Sequence, residues 1–345
     1  MTTILTICSA NYLAHAMTLG DSVLEHNPDY QFVIGLVDRV PKELEQSRCL
    51  YEVIPVEQLG IPAFWDMVKN YDLVELNTAV KPFYMEHLYR RNPRVNAVIY
   101  IDPDILVCAG LKPLEKKLTV HNLVLTPHSC TFDNSAANIN YELAMLNFGI
   151  YNLGFVATSR SEVTFAFLKW WQKRLQHHCY YQPGSGFFVD QLWMSLAPLY
   201  FSGVYVEKDP GYNMAYWNHF ERHLSRRDGD YFVNGEHRLM FYHFSGYSPE
   251  KPDAIIKQTR FHVMSFSERP DLRPIFDEYR RRLLARGYAS FKVLKYSLRQ
   301  NIPPSGMLTN KGMKNGIQKI LRALPLKLQS VLVRAAQFTI NSFKK

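Results

Sequence analysis

Residues 98–107 constrain this chain more than any other stretch. Val98-Ile99-Tyr100-Ile101 run into Asp102-Pro103-Asp104, and Ile105-Leu106-Val107 follow. An apolar run of this kind reads as a buried parallel strand that ends at an edge carrying chemistry. In open α/β sheets ligands bind at the carboxyl edge, where Asp102 and Asp104 would sit. Two carboxylates this close repel unless a cation neutralises them, and hard oxygen ligands suit Mn²⁺ or Mg²⁺. Isolated Asp-x-Asp triplets also occur in surface turns, so the reading depends on a third ligand and a phosphate-binding cation downstream.

The surrounding pattern is α/β. Strands are expected at Thr3–Cys8, 31–37 and 51–56, with a helical pattern from about Leu13 to Glu25 after the first. Ser9-Ala10-Asn11-Tyr12 then forms the loop at a strand's carboxyl end, and Ala10, Asn11 and Tyr12 are placed to receive a base and ribose. Neither a Gly-x-Gly-x-x-Gly nor a Gly-Lys-Ser/Thr loop is present, which argues against the dinucleotide fold and the P-loop. Lys81 opens a helix reaching about Tyr89, an unfavourable end for a cation unless an anion lies beside it.

Further candidates lie downstream. A short strand is expected at 123–126, and residues 147–156 read as a strand interrupted by polar and glycine positions. There Asn152 offers a donor and an acceptor to a sugar hydroxyl, and Gly154 marks close approach of a ligand or another backbone. A helix spans 162–176, and Asp190 and Gln191 open the next one, where such a pair can serve as a cap. Residues 212–218, Tyr-Asn-Met-Ala-Tyr-Trp-Asn, can stack on a sugar face or simply pack as a loop. A strand over 238–246 carries His243, followed by Gly246 and then Lys251-Pro252, so an imidazole, a glycine turn and a cation suited to a metal-bound diphosphate arrive together. A helix follows at 270–286.

Charge is unevenly spread. The net charge is +9, yet no acidic residue follows Glu278, and 15 Lys and Arg lie between Arg280 and Lys345. The first 278 residues therefore hold 25 basic against 31 acidic groups, a balance of −6 that argues against a nucleic-acid partner. From Met313 onward apolar residues recur at helical spacing among basic ones, as in a segment lying on an anionic membrane. The expected division is a catalytic domain over 1–298, a linker over 299–312 and this basic amphipathic tail over 313–345. Neither a secretory leader nor a membrane span is expected. The five scattered cysteines read as free thiols in a reducing cytoplasm.

Taken together, Asn11-Tyr12, Asp102 with Asp104, Asn152 with Gly154, Asp190-Gln191, and His243, Gly246, Lys251 and Pro252 make the stretch from about Thr3 to Pro252 resemble the GT-A glycosyltransferases, most closely the retaining bacterial enzymes of family 8. The interval from Gly246 to Lys251 is longer than that family's, and Asp253 stands where a tryptophan follows its Lys-Pro. The resemblance implies a mixed, mostly parallel Rossmann-like sheet flanked by helices. It implies a cation held by Asp102, Asp104 and His243, and transfer of a sugar with retention from a nucleotide-sugar, with UDP expected, to a glycan or lipid-linked hydroxyl. Lys251 and Lys81 would face the diphosphate, Asp190 and Asn152 the donor sugar, and Gln191 the anomeric carbon. With the basic tail, this points to bacterial surface-polysaccharide assembly on the inner face of the plasma membrane. A haloacid-dehalogenase-like phosphatase and a non-catalytic membrane-bound scaffold are the competing readings. The phosphatase would need its acidic strand near the start of its domain, and here about 90 residues of βα units come first.

Overall fold

The computed structural model describes residues 1–301 except 48, 133 and 257–264. The central sheet has seven strands: β1 (Thr2–Cys8), β2 (Gln31–Leu36), β3 (Glu52–Pro55), β4 (Ala97–Ile101), β6 (Leu123–Pro127), β7 (Tyr151–Ser159) and β10 (Val204–Val206), in spatial order β10-β6-β7-β4-β1-β2-β3. Every neighbouring pair is parallel except the two that involve β7, so β7 alone runs against the rest. This is the mixed, mostly parallel, helix-flanked sheet that the sequence leads one to expect. β1 and β4 are buried along their whole length, as strands covered on both faces must be.

The direction of β7 positions the site. The carboxyl ends of β4 and β6 and the amino end of β7 meet at one edge, which gathers Asp102, His128 and Asn152. Past Asp104 the chain leaves the central sheet. β5 (Ile105–Val107) pairs instead with β14 (Phe241–His243) in a separate antiparallel ribbon. Smaller ribbons join β8 (Tyr181–Gln182) to β9 (Phe187–Phe188), and β11 (Leu224–Arg227) through β12 (Asp230–Val233) to β13 (His237–Arg238).

Several expected boundaries are corrected. Residues 147 and 148 end a helix, Ala136–Phe148, and do not begin a strand. Asn147 Nδ2 donates to Leu143 O at 3.0 Å, and Gly149, at φ +103°, stops the helix just before β7. The helix after Phe188 shrinks to Gln191–Met194, and the strand at 238–246 to the three residues of β14. The five cysteines carry no disulfide. The main compact unit is Met1–Arg299. Arg299, placed at the start of the linker by the sequence, lies in a 3-10 turn, Leu298–Asn301, and donates to Val68 O at 3.1 Å. The expected tail over 313–345, and the linker from residue 302, lie outside the described residues. Among the described residues no helix is long and apolar enough to cross a membrane.

Candidate functional site

Backbone pairing assembles the acidic cluster. Asp102 N donates to Gly154 O at 2.8 Å, and the turn through Pro103 closes with Ile105 N to Asp102 O at 3.2 Å. Opposite Ile105 in the ribbon is His243, and Phe244 N donates to Asp104 O at 2.8 Å. The imidazole therefore lies against both acids, its Nε2 3.2 Å from Asp104 Oδ1 and 3.8 Å from Asp102 Oδ2. Its Nδ1 faces Asn213 Oδ1 at 3.3 Å, which leaves Nε2 for the acids. Tyr100 donates its hydroxyl to Asp102 Oδ1. Gly154 is required for contact: a Cβ there would stand 2.5 Å from His243 Cε1 and 2.9 Å from Asp102 Oδ2. This is the close approach its place in a strand suggested.

The cluster fits a divalent cation. One donor atom from each of Asp102, Asp104 and His243 lies within 4.8 Å of the others. The set is hard oxygen plus one imidazole nitrogen, with the other ring nitrogen anchored as ligating histidines require. Burial by itself would raise the Asp104 carboxyl, but His243 outweighs it and holds the pKa below the ordinary value. Burial would lower His243 in turn, and Asp104 with Asp102 overcome it, so the ring titrates above its ordinary 6.5.

Beside the cluster opens a cavity of about 490 Å³. Lys81, at the start of the helix Lys81–Arg91, is only 5% exposed in its wall. Its ammonium donates to Asp190 Oδ2 and to Leu153 O, both at 2.9 Å, and lies 4.0 Å from Asp102 Oδ1. Lys81 does have an anion beside it, but that anion is Asp190 and comes from the chain itself. Asp190 makes no helix cap, because its carboxylate is committed to Lys81. Burial pushes Asp190 up, an effect Lys81 offsets only in part; Lys81 also sits above its ordinary value because Asp190 and Asp102 outweigh its own burial.

An amide network joins the remaining polar groups. Asn152 Oδ1 accepts from Asn213 Nδ2 at 3.0 Å and from Gly154 N at 3.1 Å, while its Nδ2 contacts His128 Nε2 at 3.3 Å and Gln191 Oε1 at 3.4 Å. The donor and acceptor expected to meet a sugar are thus already engaged within the protein. Burial drives His128 down to about 4, so its ring is neutral at pH 7 and Nε2 can accept. Gln191 Nε2 donates to Phe148 O at 2.9 Å, and a Cβ at Gly149 would come within 2.9 Å of the Gln191 carbonyl carbon. Gln191 is held in the cavity wall by these contacts.

The other expected residues lie apart. Ala10 N donates to Asp38 Oδ2 at 3.3 Å, Asn11 Oδ1 accepts from Ser9 Oγ at 2.7 Å, and Tyr12 stacks on His15 at 4.4 Å. None of the three lines the cavity, although Tyr12 is near enough for Asp104 to help raise its hydroxyl to about 12, after burial. Gly246, at φ +75°, and Lys251, exposed on a turn, are likewise outside the wall; Ser245 is the residue after β14 that lines it. Sequence reasoning did not assign His128, Tyr100 or Asn213. Asn213 lies in the amide-rich 212–218 segment and adopts φ +56°, a conformation asparagine tolerates better than most residues.

No protein-family model matches the chain. It is 26% identical over 246 residues to the uncharacterized protein YfnF of Bacillus subtilis (strain 168), covering 70% of this chain and 80% of YfnF. It is similar to the galactosyltransferase LgtC solved with donor and acceptor sugar analogs, at 15% identity and a TM-score of 0.45 over 85% of this chain and 97% of that one. The apo bifunctional glycosyltransferase WbbM is similar at 13% identity and a TM-score of 0.48, over 85% of this chain and 52% of its own.

The buried pair gives a stability prediction. Lys81→Met leaves Asp190 uncompensated in the interior and is expected to cost about 3–5 kcal/mol in urea unfolding. Adding Asp190→Leu to that variant removes the stranded charge and should recover most of the loss.

Proposed function

We propose that this chain is a GT-A glycosyltransferase that moves a sugar from a nucleotide-sugar, with UDP the expected nucleotide, to a hydroxyl of a glycan or lipid-linked acceptor. The observation that carries this reading is the Asp102, Asp104 and His243 cluster, sharing one sheet edge with a cavity walled by Asp190 and Gln191. Lys81 cancels Asp190, so the two acids of the cluster are the charge a divalent ion would balance. When bound, Mn²⁺ or Mg²⁺ supplies Lewis acidity toward the departing nucleoside diphosphate.

The chain's own residues do the remainder. The anchored Gln191 amide presents a polar, non-nucleophilic group to the sugar, which suits departure and attack on one face and hence retention. Asp190, fixed by Lys81, offers an acceptor to the donor's hydroxyls. Neutral His128 holds the Asn152 amide, and Asn213 holds the His243 ring. Preorganisation of this kind is where enzymatic rate gains concentrate. We place the reaction in bacterial surface-polysaccharide assembly, with the basic segment 313–345 resting on the anionic inner face of the plasma membrane.

Nucleotide release from a panel of nucleotide-sugars, with Mn²⁺ and with EDTA, tests the reaction. Release is expected only with metal, and Asp104→Ala should lower it by about 1,000-fold or more; turnover in EDTA, or hydrolysis of phosphomonoesters instead, rules the reading out. The raised His243 pKa adds a pH dependence with a definite sign. In metal-free protein His243 contributes stability that is complete below its unfolded value of 6.5 and lost as pH rises through the folded one. Mn²⁺ needs the neutral ring, so its affinity measured by calorimetry should climb as pH rises from 6.5 through the raised folded value, where that stability declines. An affinity flat across this interval is incompatible with His243 as a ligand. Ending the chain after Pro304 should abolish co-sedimentation with anionic liposomes, and unchanged binding removes the membrane role of the tail.

A further inference from the structure

Residues 288–297 return to the carboxyl edge of the sheet and grip the 3-10 turn Ala10–Tyr12 in two places. The first grip is Asp38, just past β2 and 1% exposed. Its Oδ2 accepts from Ala10 N at 3.3 Å, while its Oδ1 accepts from Arg39 N at 2.9 Å, from Ser297 N at 3.0 Å and from Ser297 Oγ. A buried carboxylate with both oxygens engaged acts as a pin, here tying Ser297 to the turn. The second grip is aromatic. Tyr288, in the short helix Tyr288–Phe291, meets His15 edge-on at 5.6 Å, and Tyr12 stacks on the same imidazole at 4.4 Å. Burial drives His15 down to about 4, so a neutral ring backs Tyr12 at pH 7. Tyr12 itself stays 41% exposed, so the segment braces the turn and leaves its aromatic face open.

The strand order says what that face meets. β1 has β2 on one side and β4 on the other, so the order reverses beside it, and such a reversal is where open α/β sheets hold ligands. β1 and β4 pair in parallel with Leu5 beside Tyr100, which opens the loop after β1 next to Asp102. The cavity lies on the other side of β4, toward β7 and β6. With a metal-bound diphosphate at Asp102 and Asp104 and the sugar in the cavity, the nucleoside is left the side of Tyr12. We propose that Tyr288 and Ser297 are positioning residues for the nucleoside half of the donor, holding the turn Ala10–Tyr12 so that the Tyr12 ring is a fixed face for the base. The inference rests on the sugar-transfer reading above. A face held in place before the base arrives spares the ordering cost of binding it.

Calorimetric titration of the full-length protein in Mn²⁺ with UDP, GDP, ADP and CDP, and with inorganic pyrophosphate as a probe of the cation cluster alone, tests the proposal. Ser297→Ala leaves Arg39 N and the residue's own N–H on Asp38, so the melting temperature should move by no more than about 2 °C. The variant is expected to bind the best of the four nucleotides about five- to tenfold more weakly, with pyrophosphate within about twofold of the parent. Ser297→Thr, which keeps the hydroxyl, should restore the affinity, and Tyr288→Leu should repeat the selective loss. Unchanged nucleotide affinity in Ser297→Ala or Tyr288→Leu, equal losses for nucleotide and pyrophosphate, or no recovery in Ser297→Thr overturns the proposal. So does tighter nucleotide binding, which would make the segment a plug. Nucleotide release from nucleotide-sugars, assayed on the same preparations, keeps two failures apart. Release by a parent whose variants show no selective loss overturns the clamp and leaves sugar transfer standing. A selective loss with no release from any donor removes the transfer reading and keeps a clamped nucleoside site.

Discussion

The antiparallel pairing of β5 with β14 is the contact on which the rest of the site depends. Residues 105–107 leave the central sheet immediately after the acidic turn and take Phe241–His243 as their partner. The register sets His243 opposite Ile105, and the Phe244 N–H closes the ladder on Asp104 O. Backbone hydrogen bonds thereby bring an imidazole more than a hundred residues away in sequence to within 3.2 Å of a carboxylate. A slip of one residue would turn the histidine to the other face of the ribbon, because side chains alternate along a strand.

Charge balance explains how so many ionisable groups share one edge. Asp190 and Lys81 are both buried and neutralise each other at 2.9 Å, with the Leu153 carbonyl taking another ammonium hydrogen. Asp102 and Asp104 share His243, whose pKa their charge lifts above its ordinary value.

The amide network gives the cavity wall its rigidity. Asn152, Asn213, His128 and Gln191 satisfy one another and nearby backbone groups, so few of their polar atoms remain free to wander. Across the cavity the surface changes character to the apolar helix Ala136–Phe148. The cavity wall thus joins Asp102, Asp104 and His243 to the largely apolar side chains of Tyr141, Met145 and Phe148.

Local patterning alone determined the alternation of strands and helices, the end of β4 at the acidic pair and the meaning of Gly154, since burial periodicity and a missing Cβ are written residue by residue. The helix Ala136–Phe148 escaped because it is apolar on both sides and therefore lacks the period by which a helix is recognised. Lys81 and Asp190 were each legible as site residues, but their pairing was not: the two are 109 positions apart and meet only when the helix beginning at Lys81 packs beside β7. Tertiary structure alone decided that Asn152 is already satisfied, that Lys251 stays outside the cavity and that Asn213 anchors His243, because each outcome depends on which distant group occupies the one position within hydrogen-bonding reach.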